Sequence, residues 1–149
     1  IDGSSEAEST AGLERAAADL DAFLDGVMVD EDLLPEQVIV LGLSQGTMMA
    51  LHVLPRREEA VAGIVAFSGR LLQPEVLSDQ TQSRPPVLLI HGDADDVVPP
   101  QSLPQAAEAL QSAGWKEVYA HIMKGTGHGI APDGLSVALA FMRDRLGLS

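Results

Sequence analysis

Gly42-Leu43-Ser44-Gln45-Gly46 places a serine between two glycines, directly after a β-branched run and directly before residues that favour helix. The chemistry such a serine could perform is nucleophilic attack, because the G-x-S-x-G pattern lets strand and helix approach closely while the serine is held on a strained turn. A serine capping a buried helix would fit the same five residues, so the pattern acquires meaning from its strand-turn-helix context.

A hydroxyl attacks only when a base takes its proton and a carboxylate fixes that base's tautomer. Four histidines are available. His52 falls in an apolar helical stretch and His121 within a strand, where satisfied structural histidines are expected. His91 ends a strand beside Gly92 and reads as a loop-stabilising residue. His128, between Gly127 and Gly129, lies in the loop after the last strand and is the base candidate. The acid should come from "HGDADDVVPP", which offers Asp93, Asp95 and Asp96. Acids in a turn commonly act as turn-formers, and the residues alone leave the choice among these three open. Serine, then aspartate, then histidine is the chain order of α/β-hydrolases.

These residues need a scaffold that brings three loops to one end. Leu13, Ala16, Ala17, Leu20, Phe23, Leu24 and Val27 recur at helical spacing. Gln37 to Leu41 reads as a fully buried strand, and Gln45 to Leu54 as a buried helix stopped by Pro55. Val61 to Phe67 and Val87 to His91 are further buried strands, and Glu117 to Met123 is a fourth. Ser102 to Ala113 is a helix with Pro104 in its first turn, and Leu135, Ala138, Leu139, Met142 and Leu146 mark a last one. Strands alternating with helices imply an α/β fold with a mostly parallel sheet and ligands at its carboxyl ends. Gly69 to Pro86 is expected to be an irregular surface connection bordering a substrate groove.

Composition narrows the function. The 149 residues suffice for one domain, and 46% hydrophobic with 21% charged residues is ordinary for a globular protein. A net charge of -13 disfavours nucleic acid and anionic lipid surfaces. The absence of cysteine excludes disulfides, thiolate metal sites and cysteine nucleophiles. "IDGSSEAEST" has neither the basic nor the apolar part of a signal peptide. The uncharged run Val38 to Leu54 falls short of the roughly 18 residues of a membrane span and carries polar residues throughout.

Taken together, "GLSQGTMMAL", "GIVAFSGRL", "HGDADDVVP" and "GTGHGI" resemble the phospholipase/carboxylesterase family of α/β-hydrolases, over nearly the whole chain. The resemblance implies Ser44 as nucleophile, Asp95 as the acid and His128 as the base, with Asp93 and Asp96 as supporting turn residues. Gly42 and Gly46 would flank the elbow, and the Gln45 N–H would serve the oxyanion hole. It further implies a cytoplasmic enzyme acting on a small-molecule carboxylic ester or thioester, without metal or organic cofactor. Alternatives are a serine peptidase, or a non-catalytic fragment that binds a partner through an exposed sheet edge. Two departures stand out. Thr47 occupies a position where many members have a second glycine, and members begin with strands that precede the first helix found here. The chain is therefore expected to be the C-terminal part of the fold, with a bare edge beside Gln37 to Leu41 that a homodimer would cover. Activity is expected to fall in acid as the histidine protonates.

Overall fold

The computed structural model describes residues 6–148, with side chains described from residue 12 onward. Its frame is a four-stranded, all-parallel sheet of order β1-β2-β3-β4, comprising β1 (Ile39–Leu43), β2 (Gly63–Phe67), β3 (Val87–Gly92) and β4 (Val118–Met123). Helix α1 (Glu6–Asp30) precedes β1, and α2 (Gln45–Val53) follows it with Ser44 alone between strand and helix. A short α3 (Leu77–Gln80) lies between β2 and β3, α4 (Ser102–Ser112) between β3 and β4, and α5 (Pro132–Arg145) closes the order. Every strand thus ends at the same edge of the sheet, as parallel pairing through crossover connections requires.

Alternation along the central strands builds two cores. Ile64 and Ala66 of β2, with Val87 and Leu89 of β3, face a layer made by Leu24 of α1, Ala50, Leu51 and Leu54 of the α2 region, and Leu103, Ala106 and Leu110 of α4. Val65 and Phe67, with Leu88 and Ile90, face α5 through Ala138, joined by Met123. Because both faces of β2 and β3 are covered, these strands are continuous apolar runs, as read from the sequence. Gly134 is where α5 comes closest, since a Cβ there would lie 2.4 Å from the sulfur of Met123.

Two expectations change. The strand read as Gln37 to Leu41 and as fully buried runs from Ile39 to Leu43, and Leu41 and Leu43 are each 44% exposed. Pro35–Gln37 forms one 3-10 turn that delays the strand, with the Val38 N–H closing onto Pro35 O at 3.0 Å. Among the described residues β1 pairs only with β2, and of its side chains on the α5 face Ile39 packs into the smaller core while Leu41 and Leu43 do not. Gly69 to Pro86 is also more anchored than a plain surface connection, because Leu71 and Leu77 are buried in the larger core. No helix among the described residues is long and apolar enough to cross a membrane.

Candidate active site

Ser44 has φ 56° and ψ -113°, a left-sided conformation that a non-glycine residue adopts only when its surroundings force it. Two features force it here. The Ser44 N–H donates to Phe67 O at 2.9 Å, tying the turn to the end of β2. Helix α2 also starts so close to β1 that a Cβ on Gly42 would lie 2.4 Å from the Thr47 nitrogen. Gly46 differs from the expectation, because a Cβ there would meet nothing within 4 Å among the described residues. Thr47 is fully enclosed: its hydroxyl donates to Phe67 O at 2.8 Å, and its methyl lies against Gly69. Phe67 O therefore accepts from both Ser44 and Thr47, which locks the elbow onto β2.

Asp95 and His128 reach Ser44 from the loops after β3 and β4. Gly92 permits this, since a Cβ there would fall 2.2 Å from Thr126 O and 2.4 Å from Gly127 O. The two loops are laced together by Ala94 N–H to Thr126 O at 3.0 Å and Gly125 N–H to Asp93 Oδ1 at 2.7 Å. Asp93 is thus a strut between the loops, whereas Asp96 makes no side-chain hydrogen bond with the described residues.

Within this frame His128 Nδ1 lies 2.8 Å from Asp95 Oδ2, and His128 Nε2 lies 3.0 Å from Ser44 Oγ. A carboxylate accepts only, so Nδ1 carries the proton and Nε2 is left to accept the serine's. The other oxygen of Asp95 accepts the N–H groups of Val97 and Val98, each at 2.9 Å. Burial pushes the Asp95 carboxyl up, but the hydrogen bonds from His128, Val98 and Val97 outweigh it and hold the group below its ordinary value. Asp95 therefore remains an anion although its side chain is sealed from solvent.

His91 enters this arrangement more closely than a loop-stabilising role suggested. Its buried Nε2 hydrogen-bonds Val98 O at 3.0 Å and stands 3.1 Å from Asp95 Oδ2, so the ring packs directly against the acid. Only its four-residue spacing from Asp95 hints at this. Of the remaining histidines, His121 pairs with Asp133 at 2.6 Å, on the α5 side of β4. His52 is not satisfied as expected, because its buried Nδ1 has no partner among the described residues. Ser68, fully buried with φ 51°, was not singled out from the sequence; it sits between Phe67 and Gly69, and its hydroxyl lies 3.5 Å from Gly129 O.

A parallel sheet with a serine elbow after one strand, and an acid and a histidine after two later ones, defines the α/β-hydrolase class. The Phospholipase/Carboxylesterase family matches residues 1–146, and the chain belongs to it. The crystal structure of esterase PE8 superposes with a TM-score of 0.88 at 46% identity, over 91% of this chain and 63% of that one. Acyl-protein thioesterase 1 of Gibberella zeae is 29% identical over 79% of this chain and 52% of its own length. Esterase YpfH of Escherichia coli is 33% identical over 70% of this chain and 43% of its own. The chain thus spans about half the length of the curated relatives it matches.

Proposed function

We propose that this chain carries the catalytic triad of a serine carboxylesterase, acting on small-molecule carboxylic esters or thioesters. The observation that carries the reading is the unbroken relay from Ser44 Oγ through His128 to Asp95, at 3.0 and 2.8 Å. Ser44 attacks the ester carbonyl as its proton passes to His128 Nε2. The imidazolium that forms is stabilised by Asp95 and returns the proton to the leaving alcohol or thiol. Water then enters, gives its proton to His128 and attacks the acyl-enzyme, releasing the acid and restoring Ser44. Negative charge on the carbonyl oxygen develops beside the start of α2. There the Gln45 N–H lies in the first turn, whose donors no intrahelical carbonyl accepts, and the helix dipole favours an anion.

A serine-reactive fluorophosphonate tests this. Labelling mapped to Ser44 by peptide mass spectrometry, and lost in His128→Ala, is the expected result. Absence of labelling in a chain shown to be folded by circular dichroism would refute the reading.

A second reading is favoured by half-exposed Leu41 and Leu43 on a strand with one sheet neighbour. In it the scaffold associates with a second copy of itself along β1. A dimeric native mass combined with no labelling would favour this reading over the first.

A further inference from the structure

Beyond the carboxyl ends of β2 and β3 lies a small recess of mixed polar and apolar lining. It has a volume of about 90 Å³ and is walled by Arg70, Leu71, Pro74, Ser102, Gln105 and Ala106. That is more space than a single water needs, and it admits a carboxylate. No acidic residue lines it.

Its polar groups are uncommitted. Arg70 is exposed and has no hydrogen-bond or ion-pair partner among the described residues, in a chain with 22 acids and 9 bases. By contrast Arg57 holds both Asp21 and Asp25, and Arg145 holds both Glu117 and Asp144. Ser102 is 6% exposed, and its hydroxyl makes no hydrogen bond to any described residue. Among the described residues, the buried side-chain atoms sealed off without a partner are His52 Nδ1 and Arg56 Nη2. Ser102 Oγ is not among them, so its remaining surface opens on the recess that it lines. Ser102 also begins α4, whose first turn carries no acidic side chain. The N–H groups of Ser102 and Leu103 already close onto Pro99 O and Pro100 O, so the donors facing the recess are side chains.

The recess adjoins the backbone of the elbow through one residue. Gly69 packs so tightly on the elbow that a Cβ there would lie 2.9 Å from Ser44 O, and Arg70 is the next residue. We propose that this recess binds a carboxylate borne by the substrate, with Arg70 and Ser102 as its ligands, so that the preferred esters carry a second, free carboxylate. A planar guanidinium presents paired donors that match a carboxylate, and the serine hydroxyl supplies a further one. The inference rests on the esterase reading for the reaction, but not for the binding.

Two measurements on the 149-residue chain test it. In the first, kcat/KM is compared for the 4-nitrophenyl monoester of adipic acid and for 4-nitrophenyl hexanoate, which has the same acyl length without the charge. Arg70→Gln should lower the ratio of the two by on the order of tenfold or more, as expected for loss of a charge-assisted hydrogen-bonded pair. In the second, adipate is titrated calorimetrically into Ser44→Ala, where saturable one-site binding should be seen and should weaken by a similar factor on adding Arg70→Gln. Hydrolysis of both esters with an unchanged ratio, and no adipate binding, would overturn the inference while leaving the esterase reading intact. Arg70-dependent adipate binding in a chain that hydrolyses neither ester would sustain the recess and sink the esterase reading.

Discussion

Thr47 and Gly69 are complementary across the elbow: a Cβ on Gly69 would lie 2.5 Å from Thr47 Cγ2 and 2.6 Å from its Cβ. The threonine that follows the elbow is thus matched by a glycine on β2's exit. Gly69→Ala should destabilise the fold by about 1–3 kcal/mol through overpacking. Thr47→Gly in the same chain should recover part of that loss, since residues in contact couple non-additively. Denaturant unfolding of the two single variants and the double variant measures the coupling. Strict additivity would show that the contact is relieved elsewhere.

The loop carrying His128 depends on Gly92 in the same way, but there the obstacle is backbone. A Cβ against Thr126 O and Gly127 O can be relieved only by moving the loop, and an ångström of displacement is enough to break a proton-transfer geometry. Gly92→Ala should therefore slow fluorophosphonate labelling of Ser44 by on the order of a hundredfold, with the far-ultraviolet circular dichroism retained. A labelling rate equal to that of the parent chain would contradict the role given to Gly92.

How far these relationships can be read from the sequence differs from residue to residue. The strand-elbow-helix around Ser44 is legible because Gly42 and the apolar run on either side are local signals, and the order of β2, β3 and β4 follows from apolar runs punctuated by Pro55, Pro86 and Gly114. The family resemblance likewise locates the loops from which Asp95 and His128 converge. Exposure of Leu41 and Leu43 is not legible, because burial of a strand depends on what lies beside it, and an apolar run looks the same at an edge as at a centre. The clasp of His91 on Asp95 and the double acceptance by Phe67 O are likewise hidden: backbone carbonyls carry no residue-type signal, and these contacts exist only after the strands are side by side.

Acid should weaken the fold in two separate ranges. His52 is buried and lies near Arg56, so desolvation first and the guanidinium's charge second lower its pKa below the ordinary value of 6.5. The unfolded chain then binds the proton more readily than the folded one. The stabilisation is complete above about 6.5 and is lost as the pH falls toward the folded value. For Asp95, too, the folded value is the lower one. Its contribution is present above the ordinary carboxylate range and is lost below about 4, as the pH falls through the folded value. Urea unfolding between pH 8 and pH 3 should show both declines, with His52→Leu flattening the first and Asp95→Asn the second. If His52→Leu left the slope between pH 7 and pH 5 unchanged, the imidazole would not be its source.

Ser44 itself should store strain. Its backbone is held at φ 56° and ψ -113° by the N–H bond to Phe67 O and the helix start at Gln45. Residues in such regions cost on the order of 1–3 kcal/mol, and glycine has no Cβ to be penalised there. Ser44→Ala keeps the Cβ and the strain while removing the hydroxyl. Ser44→Gly removes both, at the cost of extra chain entropy in the unfolded state. Since neither variant has the hydroxyl, the comparison isolates the backbone. Ser44→Gly should be more stable than Ser44→Ala, by about 1 kcal/mol once that entropy is offset. Equal midpoints with equal denaturant slopes would mean that the elbow relaxes when its hydrogen bond to His128 is gone, and that the strain is maintained by that bond rather than by the sheet.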